Sequence, residues 1–345
     1  MQPIQYPHYK IALHELQHQA VRDLAWCCFS APMMQELPGS PISILPFHNQ
    51  FPWHWLQALD QQPEPLLDHL SQRKSTRLGI YYEALWHFYF ANYPEWELLQ
   101  HNLQIDRNGI TLGAFDFLCR RNEEYWHIET AVKFYLCSAG NPLEAYDWKY
   151  WIGPDSKDRL DLKLNHLRQH QLPLHHQPEA QLQLRSLYPD AKEWNTGLCI
   201  QGYLFSPAQR NSKPAFVHSH HERGSWWRLS QFLQEISTQS TQPTQSTQRW
   251  LILERQQWLS PAHCTDVATL FSSEQLAEKL FDEVHGAQRP QLIAAMKLEE
   301  SSNNNENQPT HSLCWIESER IFVVPDEWPD YSSVRPGKDS PARNT

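Results

Sequence analysis

The feature that most constrains the fold is the stretch 109–136, which predicts two antiparallel strands joined by a short polar turn. With residues 122–123 as the turn, the residues on either side of it must face each other. Counting outward from that pair places Asp116 directly opposite Glu129. A one-residue shift of register would send Asp116 to the other face of the sheet, so the prediction rests on this turn.

The second strand of this pair has two different faces, because successive side chains alternate across a strand. One face is almost uniformly apolar and is formed by Trp126, Ile128, Thr130, Val132, Phe134 and Leu136. The other face carries His127, Glu129 and Lys133. The pattern therefore indicates a strand that packs on a core with its back and presents chemically active groups on its front.

The predicted register brings two carboxyl groups together. Directly opposed side chains have Cβ atoms about 4.5–5.5 Å apart, and two carboxylates at that distance repel each other. The pair is stable only if one acid is protonated or a cation lies between them. Lys133, on the same face as Glu129, is one candidate cation, and a divalent metal ion is the other.

A third acid lies in the preceding segment, 71–91, which predicts a helix that is apolar nearly all round and therefore deeply buried. Glu83 is in the middle of this helix. A buried carboxylate without a partner is costly, so we expect Glu83 to be protonated, paired with a cation or linked to a metal. A structural ion pair with an arginine such as Arg77 is the alternative to a metal.

A further helix, predicted over 157–170, carries Lys157, Asp161 and Lys163 beside a leucine stripe. Its basic first turns suit a phosphate or a carboxylate. The alternative is a solvated face with Lys157 paired to Asp161 at a spacing of four residues. With strands predicted at 96–105 and 198–205, the element order is one helix, three strands, one helix and one strand.

Composition limits the classes of protein to which the chain can belong. At 345 residues it is longer than one core usually serves. A net charge of −10 argues against a protein coated in positive charge for indiscriminate nucleic-acid binding, although it leaves room for a local basic groove. We expect no signal peptide and no membrane span, and the 7 scattered cysteines are typical of reduced thiols in a cytoplasmic protein.

Four stretches resemble a bacterial family, the domain of unknown function family 1853, which is assigned to the PD-(D/E)XK phosphodiesterase superfamily. They are GAFDFL at 113–118, HIETAVKFYL at 127–136, GPDSKDRL at 153–160 and FVVPDEWP at 322–329. The resemblance implies an α/β fold with a restriction-endonuclease-like α-β-β-β-α-β core and a mixed sheet. It places that core at 71–205, after an N-terminal helical extension (1–70) and before a C-terminal β-rich extension (206–330) and a flexible tail (331–345).

The resemblance also implies roles for particular residues. Asp116 and Glu129 match the two metal-binding acids of the superfamily, and Glu83 matches its acid on the first helix. Lys133 is the best match for the catalytic lysine, although Ala131 occupies the usual lysine position and Lys133 lies two residues further along the strand.

The second helix is where the superfamily often places substrate-contacting residues, which here are Lys157, Asp161 and Lys163. The activity implied is hydrolysis of DNA or RNA phosphodiesters with Mg²⁺ or Mn²⁺, and the partner implied is nucleic acid, with no membrane association. Two alternatives stay open: a catalytically inactive protein that binds nucleic acid or another protein, and a structural protein with the buried ion pairs Asp116–Lys133 and Glu83–Arg77.

Overall fold

The computed structural model describes residues 9–40, 43–45, 52–240, 248–302 and 311–333, and shows a mixed α/β protein with a large mixed sheet. The α-helices are α1 (Tyr9–Leu13), α2 (Gln19–Phe29), α3 (Trp53–Gln61), α4 (Glu64–Ser71), α5 (Leu78–Asn92), α6 (Pro142–Ala145), α7 (Leu160–His166), α8 (Pro178–Leu187), α9 (Leu229–Ser240) and α10 (Ser273–Leu280). The strands are β1 (Ser43–Ile44), β2 (Glu97–Arg107), β3 (Ile110–Arg121), β4 (Glu124–Cys137), β5 (Trp151–Ile152), β6 (Trp194–Pro207), β7 (Glu222–Arg228), β8 (Arg249–Ile252), β9 (His263–Cys264), β10 (Gln291–Ser302) and β11 (His311–Val324).

The chain forms two compact units. The first contains residues 1–133, 161–202 and 216–222, and the second contains 134–160, 203–215 and 223–345. The domain limits expected from the sequence stay predictions, and most of the predicted tail, 334–345, lies outside the described residues. Within the described ranges, no helix combines the length and the apolar character needed to cross a membrane.

In the first unit the strand order is β2-β3-β4-β6, and β1 pairs with β6 in parallel. The β3–β4 hairpin has the predicted register, with Arg121 facing Glu124. Its turn residues Asn122 and Glu123 have φ angles of 47° and 66°. Positive φ at both central residues is the geometry of a type I′ turn, whose twist matches that of the strands it joins.

Helix α5 supplies much of the core of this unit. Its buried side chains cover one broad side of the helix: Leu78, Tyr81, Tyr82, Leu85, Trp86, Phe88, Tyr89 and Phe90. Phe90 meets Phe117 of β3, with ring centroids 5.2 Å apart. The expectation of burial nearly all round is wrong for the other side, where Ile80 is 38% exposed and Glu83 and His87 are half-buried. The side chain of Glu83 is 34% exposed, because it points away from that core toward His101 on β2.

A second apolar cluster covers β2 and β3 from the segment that follows α7. Leu174, Ala180 and Leu184 pack there against Ile105, Phe115 and Leu118. This segment, 167–187, consists of a π-helical turn, a 3₁₀ turn and α8. It buries the polar front of β4 as well, since the side chains of His127 and Glu129 are both 0% exposed. The expected open front of the strand is therefore closed at these two positions.

Strands β4 and β6 approach each other closely at Gly202. This residue has a φ of 127°, and a Cβ built on it would lie 1.8 Å from the carbonyl oxygen of Lys133. Only glycine fits a position that combines a positive φ with such a contact.

In the second unit, β11 lies between β7, which is parallel to it, and β10, which is antiparallel. Strand β8 extends the sheet by pairing with β10, and β9 pairs with β11. Helices α9 and α10 pack on this sheet through Phe232, Ile236, Leu276 and Leu280. The β-rich extension expected after residue 206 stays a prediction.

The predicted start of the second helix is wrong. Helix α7 begins at Leu160, whereas Lys157 lies in the turn before it. Ser156 has a φ of 60°, and the side chain of Asp155 accepts the backbone N–H of Lys157. This local turn competes with helix formation. Lys157 and Asp161 therefore do not share a helix at the predicted four-residue spacing.

Candidate functional site

Asp116 lies where the β-sheet pairing of β3 is interrupted on both sides. Toward β4 the backbone pairing runs from the turn to Phe117 opposite Ile128, and Asp116 is the next residue. Toward β2, Asp116 is opposite Asn102, which has a φ of 53°. Asn102 lies between two residues of β2 that pair regularly with β3. The interruption leaves room for side chains to bind the backbone.

The two acids predicted to face each other do so, and each accepts a hydrogen bond from the opposite strand. The backbone N–H of Asp116 donates to Oε1 of Glu129 at 3.4 Å. The backbone N–H of Thr130 donates to Oδ2 of Asp116 at 2.9 Å. The carboxyl groups thus take positions that carbonyl oxygens occupy in a regular ladder.

Glu129 is held from its other side by a chain of polar side chains. The amide nitrogen of Gln171 donates to Oε2 of Glu129 at 2.6 Å. The ammonium group of Lys163 donates to the amide oxygen of the same glutamine at 2.9 Å. The chain connects a positive charge on α7 to a carboxyl group that has no exposure to solvent.

Burial raises the pKa of both acids. The pKa of Asp116 rises to about 7, because the group is desolvated and lies next to Glu129. The pKa of Glu129 rises to about 8, mainly through burial. Hydrogen bonds from the backbone and the charge of Lys163 lower both values only in part. The pair consequently holds a proton near neutral pH unless a cation replaces it.

His127 forms the second hydrogen bond to Oε1 of Glu129, at 2.7 Å. That distance would suit an ion pair, but burial lowers the pKa of His127 to about 3. The imidazole is therefore neutral at physiological pH, and the contact is a hydrogen bond. Its Nδ1 is buried and has no hydrogen-bond partner among the residues that the structure describes. The ring is fixed by the edge of Phe115, with centroids 4.6 Å apart, and by His175 at 5.7 Å.

Glu83 approaches the pair from α5. Its charge raises the pKa of both Asp116 and Glu129, so the three acids share one electrostatic environment. Its own partner is His101, whose Nε2 lies 2.7 Å from Oε1 of Glu83, and not the arginine considered in the sequence analysis. The ring of His101 stacks on Phe117 at 5.0 Å, which fixes the imidazole beside the acid.

The four predicted residues with other roles lie in different places. Lys133 is half-buried on β4, and Asp161 and Lys163 are half-buried on α7, all in the first unit. Lys157 is exposed and belongs to the second unit. The structure thus brings Asp116, Glu129, Glu83 and Lys163 into one electrostatic environment.

The acidic centre offers oxygen donors of the kind that a divalent cation binds. Among the described residues, no group of three or more His, Cys, Asp or Glu side chains is arranged to hold a metal ion. Asp116 and Glu129 supply two hard oxygen donors, and Mg²⁺ is commonly held by one or two carboxylates together with water and substrate phosphates. The chemistry of the pair is thus compatible with Mg²⁺ or Mn²⁺, whereas its geometry does not form a ready-made metal site.

The fold and the paired acids define a mixed α/β protein with a buried acidic centre between neighbouring strands. The family model described as a domain of unknown function, DUF1853, matches residues 22–324. The chain belongs to this family. No curated protein and no solved structure matches the chain.

Sequence reasoning missed Gln171 and the coupling of Lys163 to the acids. Gln171 directly follows the predicted helix 157–170, and a glutamine at such a position gives no catalytic or metal-binding signal. His127 could have been assigned to Glu129, because residues two apart on a strand share a face. His101 carries no comparable signal, since its contact with Glu83 is made between a strand and a helix.

Proposed function

We propose that the protein is a metal-dependent phosphodiesterase that acts on nucleic acid. The observation that carries this proposal is the facing of Asp116 and Glu129, two buried carboxyl groups whose raised pKa values of about 7 and about 8 favour a proton or a cation between them. The order of the longer elements supports it further: with the short α6 and β5 and the later α8 set aside, α5, β2, β3, β4, α7 and β6 follow each other as in the α-β-β-β-α-β core that the PD-(D/E)XK resemblance implies.

In this proposal, Asp116 and Glu129 hold Mg²⁺ or Mn²⁺, and Glu83 adds negative charge to the site. When bound, such an ion supplies Lewis-acid polarisation of the phosphoryl group. Asp116 is the accessible ligand, because its side chain is partly exposed. Glu129 is oriented by Gln171 and His127, which hold its two oxygens.

A lysine would stabilise the negative charge that develops on the phosphate. The resemblance assigns this role to Lys133. The hydrogen bonds favour Lys163. Its ammonium group is connected to Glu129 through the side chain of Gln171, and its positive charge lowers the pKa of both acids. We therefore propose Lys163 as the principal cation of the site and Lys133 as an auxiliary one.

The second candidate function is a catalytically inactive protein that binds nucleic acid or another protein. The observation that favours it is the closure of Glu129, which has no solvent exposure and has both oxygens engaged in hydrogen bonds. A cation would have to share Glu129 with these donors.

The test is to incubate the purified protein with labelled single- and double-stranded DNA and RNA and Mg²⁺ or Mn²⁺. Asp116→Ala and Lys163→Ala are tested beside the wild type, with Glu123→Gln, an exposed turn variant, as control. Cleavage that both site variants lose and the control keeps supports the enzyme. Binding without cleavage supports the inactive binder, and neither cleavage nor binding supports a structural role and overturns both.

A further inference from the structure

The second unit contains a cavity of about 260 Å³ that the acidic site does not include. Its wall is formed by the two residues that follow β4, the end of β6 and the three residues after it, the end of β7 and the first turn of α9. Small-molecule sites usually measure about 300–1,000 Å³, so this one would hold a compact group and leave the rest of a ligand outside.

Two arginines line the cavity, and the backbone holds both of them. The Nη1 atom of Arg210 donates to the carbonyl oxygens of Ala139 at 3.2 Å and Gly140 at 2.5 Å. The Nη1 atom of Arg228 donates to the carbonyl oxygen of Asp326. A carbonyl oxygen carries no formal charge, so each guanidinium keeps its positive charge for another partner. A planar guanidinium suits the oxygens of a phosphate or a carboxylate in particular.

Two indoles form another part of the wall. Trp226 is buried and fixed, because its Nε1 donates to the carbonyl oxygen of Cys137 at 3.0 Å and its ring meets Trp328 with centroids 4.9 Å apart. Trp227 is half-buried and lines the cavity, and its ring also meets the ring of Phe232 edge-on, with centroids 6.3 Å apart. An indole beside a pair of guanidinium groups suits a ligand that combines an anion with a flat ring.

The first turn of α9 adds a polar group to the wall. This helix has 12 residues, and Gln231 in its first turn lines the cavity. The amide of Gln231 is a neutral hydrogen-bonding group. The start of the helix itself is already capped, since the side chain of Asp326 accepts the N–H and the hydroxyl of Ser230 in the same turn.

We propose that this cavity binds the phosphate and the base of a nucleotide. Arg210 and Arg228 bind the phosphate, and Trp227 stacks on the base. The nucleotide is either free in solution or the phosphorylated end of a nucleic-acid strand, since the two share this chemistry. The proposal rests on the cavity alone and does not require the acidic site to be catalytic.

The test is isothermal titration calorimetry of the full chain with four probes: inorganic phosphate, adenosine monophosphate, and an oligonucleotide with and without a 5′-phosphate. Wild type is compared with Arg210→Gln, Arg228→Gln and Trp227→Leu. Arg289→Gln is the matched control, because Arg289 is an exposed arginine of the same unit that does not line the cavity. Thermal unfolding of each variant shows whether it is folded.

We expect adenosine monophosphate to bind more tightly than inorganic phosphate. Arg210→Gln and Arg228→Gln should each weaken the binding of adenosine monophosphate about tenfold or more, because each removes a hydrogen bond between two charged groups. Arg289→Gln should bind it like the wild type. Tighter binding of the 5′-phosphorylated oligonucleotide identifies a strand end, and binding of the mononucleotide alone identifies a free nucleotide. The proposal is overturned if no probe binds, or if Arg210→Gln and Arg289→Gln weaken binding equally.

Discussion

The backbone N–H of Asp116 donates to the side chain of Glu129 across two strands whose regular pairing has just ended. Two acids that repel each other are thereby fixed opposite each other in the interior of the sheet. Strand pairing and the helical segment after α7 impose this arrangement. Burial of the two carboxyl groups, more than their mutual repulsion, raises both pKa values.

The first prediction concerns stability against pH. The ordinary pKa values of Asp116 and Glu129 are 3.8 and 4.5, and folding raises them to about 7 and about 8. The folded chain therefore binds more protons than the unfolded chain across this interval, and its stability falls as pH rises through it. Glu129→Gln cannot ionise. Between pH 5 and pH 8.5 the wild type should lose at least about 1 kcal/mol of unfolding free energy relative to this variant.

Urea denaturation at a series of pH values measures that difference. Glu123→Gln, in the exposed turn, serves as the control and should follow the wild type at every pH. A constant difference between the wild type and Glu129→Gln would show that Glu129 ionises normally.

The second prediction concerns Gln171. Replacement by leucine removes the hydrogen bond to Oε2 of Glu129 and separates that acid from Lys163. We expect a loss of roughly 1–3 kcal/mol in unfolding free energy, as for a bond to a buried polar group. The loss should be larger at pH 9 than at pH 5, because the ionised acid depends on the bond more strongly. An equal loss at both pH values would mean that leucine only disturbs packing.

The third prediction separates the two lysines. On any nucleic acid that the wild type cleaves, Lys163→Ala should lower kcat about 100-fold, the usual effect of removing one stabilising charge. Lys133→Ala should lower it less than tenfold. Lys163→Arg keeps the positive charge and should restore part of the activity, which a purely structural role would not predict. A larger loss in Lys133→Ala than in Lys163→Ala would return the role to Lys133.

The fourth prediction compares two glycines. Gly202→Ala places a Cβ against the backbone of Lys133 at a positive φ, and we expect a loss of more than about 3 kcal/mol or failure to fold. Gly79 is on α5, and a Cβ built on it has no neighbour within 4 Å among the described residues, so Gly79→Ala should raise the unfolding free energy by roughly 0.5–1 kcal/mol. Thermal unfolding measures both. A mild effect at Gly202 would contradict the close approach of β4 and β6.

The sequence was sufficient for the hairpin and its register, because a two-residue turn and the alternation of side chains are local signals. It was also sufficient for the existence of α5 and for its contribution to the core, although only one broad side of the helix is buried. It was not sufficient for Glu83, since a helix that is apolar nearly all round does not reveal that one of its positions faces a polar neighbour on β2.

The closure of Glu129 could not be predicted either. The stretch 167–176 changes from α-helix to a π-helical turn and then to a 3₁₀ turn, and only its position in the folded chain brings Gln171 to the acid. The same limit applies to Lys163, which reaches the site through a glutamine. Long-range packing determines both contacts, and neither residue carries a local pattern that indicates its partner.

The most direct test of the central claim is calorimetric titration of the full chain with Mn²⁺ at pH 7.5, for the wild type and for Asp116→Asn. The account predicts one bound ion per chain in the wild type, and binding at least about tenfold weaker in the variant, because Asp116 is the accessible one of the two proposed ligands. Binding of equal strength in both proteins, or no binding by the wild type, would contradict the claim that these two acids form a cation site.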